Sequence, residues 1–346
     1  MGYGKLPWCV CSFDMVIQHL KVVSELVDLE VKMDIGLSDQ VTYTPSPFTE
    51  STGLLDNPAA LKQRAMEDGY LFFKGFLPKD EVVALRADML GVVEKYGWRE
   101  KGQEALGGVI DLDALNQIPE EMMRTDIGVS TEAYKDVNRL ERFHRLPQHP
   151  RLMALYRTLF GKEILVHARH IGRMITAHKH VFPTPPHQDF PLIQGTYNTW
   201  TCWFPVGDCP REMGGLTVLR GSHRSGYLPI QPAKGAGGIA VPLCSYDRDW
   251  VEGDFETGDI LTFSSYTIHR ALRCQWKTQI RLSMDVRYQP IDEPVEAKSL
   301  LPHCDLTWED IYQDWEKEDL KYYWRKLPLQ RGIWNDEYLQ PKRRIC

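Results

Sequence analysis

The tripeptide His187-Gln188-Asp189, set between Pro-Thr-Pro-Pro and Phe-Pro-Leu, constrains this chain more than any other stretch. On an extended segment successive side chains alternate faces, so a histidine and an aspartate two apart project to the same side and can converge on one point. An imidazole and a carboxylate that converge make a candidate metal site. Surface His/Asp pairs also arise by chance, so the reading depends on further donors.

Those donors lie downstream. Gly258-Asp-Ile-Leu-Thr-Phe-Ser-Ser-Tyr-Thr-Ile-His269 opens with a Gly-Asp turn and continues as an alternating apolar run. This pattern places His269 at a strand terminus, where side chains face a cavity mouth. Gln279-Ile-Arg281-Leu-Ser283 starts the next strand. Two histidines and one carboxylate on one face of an ion leave adjacent positions open, the arrangement of non-haem Fe(II) oxygenases. An arginine nearby offers a planar fork for a carboxylate.

On these residues the chain resembles the phytanoyl-CoA dioxygenase-like (PhyH) branch of the Fe(II)/2-oxoglutarate-dependent oxygenases. The resemblance rests on His187-x-Asp189, the distal His269, Arg281 twelve residues on, Gly214-Gly-Leu-Thr-Val-Leu-Arg-Gly-Ser-His223 and Gly69-Tyr-Leu-Phe-Phe-Lys-Gly-Phe-Leu. It covers roughly residues 60 to 290, and Arg220 stands where the family commonly has proline. It implies a mostly β fold with flanking helices around a double-stranded β-helix (jelly-roll, cupin-like) core. It also implies Fe(II) on His187, Asp189 and His269, with no catalytic residue beyond these ligands. 2-Oxoglutarate would lie with its distal carboxylate on Arg281 and Ser283 and with Trp203 packed nearby, and dioxygen would be the cosubstrate.

The implied reaction is oxidation, by preference hydroxylation, of an unactivated C–H bond of a small-molecule substrate, with release of succinate and carbon dioxide. A step in secondary metabolism fits better than acyl-CoA oxidation, because no basic stretch suited to a CoA phosphate cluster is found. Two alternatives stay open: a redox-inactive cupin-like metalloenzyme, and a non-catalytic metabolite-binding or scaffold protein of the same fold. Arg281 is preferred to Arg287 as the cofactor anchor. The two share a strand face, but at about 3.3 Å per residue Arg287 should lie roughly 20 Å farther along, out of reach of a cofactor held near the strand start.

Other segments carry weaker signals. Arg169, Ile171, Arg173 and Ile175 share a parity that puts two arginines on one face. That face is either solvated or aimed into the barrel, where an arginine would hold an anionic substrate group. His178-Lys-His180 lacks a neighbouring carboxylate and reads as an exposed turn, and His223 as a turn-stabilising or lid residue. Ala105 to Ser130 reads as a polar segment near the site opening, and Pro229 to Pro242 as an insertion that closes over substrate.

A length of 346 residues suits one elaborated domain. The expected division is an N-terminal helical extension over 1–45, the oxygenase domain over 46–290 and an aromatic-rich helical extension over 291–346. Within these, Val16 to Val27 has helical spacing, Thr42 to Pro58 reads as a linker, helices follow Pro78 and Pro150, and Leu306 to Lys326 reads as a helix. That last helix needs a partner for its aromatic face, either the barrel flank or a second subunit, so the extensions are candidates for a homodimer contact. The net charge of −6 argues against broad phosphate neutralisation and hence against a nucleic-acid partner. No run of eighteen apolar residues occurs, so no membrane span is expected. Eight cysteines, at 9, 11, 202, 209, 244, 274, 304 and 346, are too sparse for a disulfide scaffold. Reduced thiols and a cytoplasmic setting are the expectation.

Overall fold

The computed structural model describes residues 44–346, of which 45–346 form one compact unit. The helix expected over Val16–Val27 lies outside the described residues. Ten strands build the core, taken in chain order as β1 (Ser46–Pro47), β2 (Tyr70–Phe73), β3 (Ile164–Val166), β4 (Ile171–Ile175), β5 (Trp200–Pro205), β6 (Leu216–Leu219), β7 (Trp250–Glu252), β8 (Ile260–Ser264), β9 (His269–Ala271) and β10 (Arg281–Pro290). The larger sheet runs β2-β8-β5-β10-β3, with β4 also paired to β10, and the smaller runs β1-β7-β6-β9. Every pairing is antiparallel except β1 with β7. This is the mostly β, jelly-roll architecture with flanking helices that the motifs imply.

Period-two alternation sorts the larger sheet into two faces. Leu71, Phe73, Cys202, Phe204, Leu282, Met284, Val286 and Tyr288 point outward into the main core. There they meet helices α1 (Pro58–Asp68), α2 (Lys79–Lys95), α3 (Thr131–Arg139) and α4 (Pro150–Phe160). Tyr70, Phe72, Trp203, Leu261 and Phe263 point the other way, against Leu216, Val218 and Val251 of the smaller sheet. Burial of these side chains on both faces, at roughly 1.5–3 kcal/mol each, drives the layering.

Caps follow the sequence. Asn57 caps α1 through Ala60 N–H with Pro58 at its first position, and Gly69 closes it at φ +75°. A Cβ on Gly69 would stand 2.2 Å from Nδ1 of His223, whose Nε2 bonds the Met66 carbonyl. The Gly-Ser-His turn is thereby docked on the helix end, which accounts for His223 without a ligand role. Arg220, in the place of the family's proline, pairs with Asp249.

Three expectations change. The helix read over Leu306 to Lys326 is instead a five-residue helix, Trp308–Tyr312, and a 3-10 turn, Tyr323–Lys326. Its aromatics, including Trp308, Tyr312, Trp315 and Trp324, pack on Leu165 and Ala168 of the same chain. The stretch read as a linker is, in its described part, more than that, since Ser46–Pro47 adds a parallel strand to β7 and Phe48 packs on Tyr70, Phe72 and Phe255. The thiols are not uniformly reduced: Cys244 is bonded to Cys346, 102 residues away. The tail returns along Ile230, where Lys342 N–H bonds the Ile230 carbonyl, and Arg344 forms a buried pair with Asp247. That return brings the two sulfurs together, and no spacing rule shows it. No helix among the described residues is long and apolar enough to cross a membrane.

Two outcomes follow. Proteolytic mapping of the unreduced protein yields a linked Cys244/Cys346 peptide that disappears on reduction; two separate thiol peptides would contradict the tail's path. Gly128 has φ +103°, and a Cβ there would lie 2.2 Å from the Met174 carbonyl oxygen. Gly128→Ala should therefore cost about 2 kcal/mol or more in denaturant unfolding.

Candidate metal centre

His187 and His269 face each other across an isolated antiparallel bridge, each donating its backbone N–H to the other's carbonyl at 3.0 Å. The exchange sets the two imidazoles 4.2 Å apart between ring centroids. Each ring is then oriented by the carbonyl two residues before it. Nδ1 of His187 lies 2.8 Å from the Pro185 oxygen and Nδ1 of His269 lies 3.0 Å from that of Thr267. Bonded to carbonyls, both Nδ1 atoms carry the proton, which leaves the Nε2 lone pairs free. Burial holds the His269 imidazole down to about 3, so it is neutral at physiological pH.

Asp189 completes the group. Its Oδ1 is 3.6 Å from His187 Nε2 and 3.9 Å from His269 Nε2, and the three donor atoms all lie within 4.8 Å of one another. Its other oxygen accepts from Thr201 Oγ1 and sits 3.4 Å from Arg287 Nη2. One carboxylate oxygen is thus committed to the protein and the other is turned toward the imidazoles. Burial alone would raise the Asp189 carboxyl, but the Arg287 guanidinium and the two histidines bring it well below the usual carboxylate range. Two imidazoles with open Nε2 atoms and one carboxylate, all buried, suit a single divalent ion with open positions, and this is the one such group among the described residues. Gln188, of opposite parity, faces away and bonds the Gly226 and Tyr266 carbonyls and the Leu228 N–H, fixing the loop that carries the motif.

β10 carries the rest of the site on its inward face: Arg281, Ser283, Asp285, Arg287 and Gln289, all buried. Asp285 pairs with Arg173 at 2.8 Å, and Gln289 meets His167. Arg281 has no carboxylate partner among the described residues. Its Nη1 lies 3.3 Å from Ser283 Oγ, its Nε bonds nothing, and its guanidinium stands 5.7 Å from the ring of Trp203, whose Nε1 is also unpartnered. Two buried donors left open side by side fit an anion that the protein itself does not supply.

The expected distance of Arg287 from the metal is overturned. Arg287 pairs with Asp189, so the triad lies beside the far half of β10 and Arg281 is the more distant arginine. The error came from placing the ion at the strand start, which the sequence does not fix. Arg173 and Arg169 turn inward rather than to solvent, and both line a cavity of about 220 Å³ that includes His187, Asp189 and Arg287. A second cavity, of about 230 Å³, holds Arg281 and shares Asp126 and Arg173 with the first. His178, expected in an exposed turn, is buried on that second cavity's wall and joins no metal group. Ala105 to Ser130 supplies Arg124 and Asp126 through the short hairpin Met123–Arg124/Val129–Ser130, and Pro229 to Pro242 supplies Ala236 and Gly237. Thr201, Arg124 and Asp126 were missed by sequence reasoning; only the inward parity of Thr201 on β5 could have pointed to one of them.

Curated relatives include a 1-deoxypentalenic acid 11-beta-hydroxylase of Streptomyces arenae, 25% identical over 280 residues and covering 76% of this chain and 92% of the relative. Its namesake in Streptomyces exfoliatus is 24% identical over 275 residues, with the same coverage. Among solved structures, the epimerase SnoN in complex with Fe3+, alpha ketoglutarate and nogalamycin RO superposes with a TM-score of 0.48 at 21% identity, over 69% of this chain and 86% of that one. EctD from S. alaskensis with 2-oxoglutarate and 5-hydroxyectoine gives 0.46 at 16% identity, over 84% and 92%. The family described as Phytanoyl-CoA dioxygenase (PhyH) matches residues 65–275, more than half of the chain, from the last turn of α1 to just past β9, so the protein belongs to the phytanoyl-CoA dioxygenase family.

Proposed function

We propose that His187, Asp189 and His269 hold Fe(II), that Arg281, Ser283 and Trp203 seat the distal carboxylate of 2-oxoglutarate, and that the bond oxidised becomes C–OH. The protein is an Fe(II)- and 2-oxoglutarate-dependent oxygenase of its family acting on a small molecule. The hydroxylase names of the two Streptomyces relatives support hydroxylation as the outcome, in secondary metabolism. The observation that carries the assignment is the convergence of two Nε2 atoms and Asp189 Oδ1, each with its other heteroatom engaged elsewhere.

Bound together, iron, 2-oxoglutarate and dioxygen supply a two-electron oxidation of a C–H bond, with release of succinate and carbon dioxide. The chain's part is to orient and protect. The Pro185 and Thr267 carbonyls keep both rings in one tautomer, and Thr201 and Arg287 restrain the carboxylate to one donor oxygen. Arg287 also balances the charge of Asp189 before any ion binds. Arg281, buried and without a counter-ion, gains one when a dicarboxylate enters, which favours that cofactor over neutral molecules. Ile171, Leu192 and Ile193 form an apolar wall that excludes water from the reacting centre.

His187→Ala, Asp189→Ala and His269→Ala should each abolish iron binding and succinate release while the circular dichroism spectrum stays native. Near-native turnover with stoichiometric iron in any one variant would remove that residue from the ligand set. The two arginines should separate. Arg281→Gln raises the 2-oxoglutarate dissociation constant at least about thirtyfold, the equivalent of about 2 kcal/mol for a broken buried charge pair. Arg287→Gln instead weakens Fe(II) about tenfold or more, because it frees the ligating carboxylate. Calorimetric titration of each variant with metal and with cofactor reads both, and an exchange of the two phenotypes would reverse the assignment.

A further inference from the structure

The cavity beside His187 and Asp189 is strongly cationic. Arg124, Arg169, Arg173, Arg287 and Lys298 line it against two carboxylates, Asp126 and Asp189. Three of the cations are already matched: Arg124 is bidentate on Asp126, Arg173 lies on Asp285, and Arg287 lies on Asp189. Arg169 and Lys298 have no carboxylate at ion-pair distance among the described residues.

The two unmatched cations are nonetheless positioned. Arg169 donates Nε to the Leu301 carbonyl at 2.7 Å and Nη2 to the Pro302 carbonyl at 3.0 Å, so its fork is fixed on the side away from Nη1. Lys298 Nζ stands 3.5 Å from the Trp334 ring centroid. His167 and His303 also line the cavity as neutral rings, lowered by burial to about 4 and about 3. Neutral carbonyls and rings orient a cation but do not offset its charge, so a half-buried guanidinium held this way is costly until an anion arrives. The same cavity is also lined by the apolar side chains Ile171, Leu192, Ile193 and Ala236.

From this arrangement we infer that the substrate is a carboxylic acid with a hydrocarbon body, its carboxylate docked on Arg169 and assisted by Lys298, its apolar part laid along Ile171, Leu192 and Ile193 toward the iron. The inference rests on the oxygenase reading of the site and adds the substrate class to it. Arg169 is a substrate-positioning residue: a fixed carboxylate at one end of a rigid skeleton selects which carbon lies at the metal. A phosphate would use the same fork, so the test includes both anions.

The experiment is a thermal-shift and calorimetric panel on the full chain loaded with a redox-inactive divalent ion and 2-oxoglutarate. The ligands are octanoic, dodecanoic, cyclohexanecarboxylic and 1-deoxypentalenic acids, the methyl ester of each, and dodecyl phosphate. Acids should raise the melting temperature of the wild type while their esters do not, with at least about tenfold weaker binding of acids to Arg169→Gln and a smaller loss in Lys298→Gln. Arg169→Lys, which keeps the charge but not the fork, should fall between. If no acid binds, if esters bind as well as acids, if Arg169→Gln binds acids like the wild type, or if dodecyl phosphate binds tenfold tighter than every acid, the inference is overturned. Binding of 2-oxoglutarate to the metal-loaded wild type is measured in the same series without any acid. Its failure would remove the oxygenase reading and leave the anion result to stand or fall separately.

Discussion

The structure depends on the pair of backbone hydrogen bonds exchanged between His187 and His269. These residues are 82 positions apart in sequence, and neither segment extends far as a regular strand at that point. The exchange costs no side chain. It aligns two imidazoles by backbone geometry alone, so the side chains remain available for metal, and it ties the loop after Pro186 to the end of the smaller sheet. Gln188 then anchors that loop on three backbone groups of the segments beside it, which places Asp189 beside the two imidazoles.

A second constraint is electrostatic. A barrel whose inward face carries two arginines, an aspartate and a glutamine on one strand could not persist with those groups unpaired. Arg173 with Asp285 and Arg287 with Asp189 neutralise the middle of the file, and Gln289 with His167 ends it without charge. Arg281 alone is left open. Unmatched positive charge thus stands at the start of β10, on Arg281, and on the wall at Arg169, and each faces a cavity.

Much of this was legible in the sequence. Alternation gave β5, β8 and β10 and the faces of their side chains, and proline and glycine punctuation gave α2, α4 and the end of α4 at Gly161. The donor triad followed from residue type and parity. What was not legible depends on where segments meet. α1 buries only Leu61 and Ala65 fully and has little periodicity to detect, although Asn57-Pro58 was a usable start signal. The aromatic stripe after Leu306 was read as one helix because aromatic spacing alone does not distinguish a helix from turns wrapped over a flank. Arg287's place beside Asp189, and the meeting of Cys244 with Cys346, are products of tertiary closure that no local pattern encodes.

The strict alternation of β10 has a consequence for how this protein can vary. Leu282, Met284, Val286 and Tyr288 lie in the helical core, while Arg281, Ser283, Asp285, Arg287 and Gln289 lie in the barrel. Inserting or deleting one residue within the strand would exchange the two sets beyond that point, sending charge into the apolar layer and methyl groups into the barrel. Lineages descending from this chain can therefore change β10 by replacement but not by a change of length. Loop length can drift more freely in segments such as 231–240, a hairpin whose two short strands pair with each other and not with either sheet.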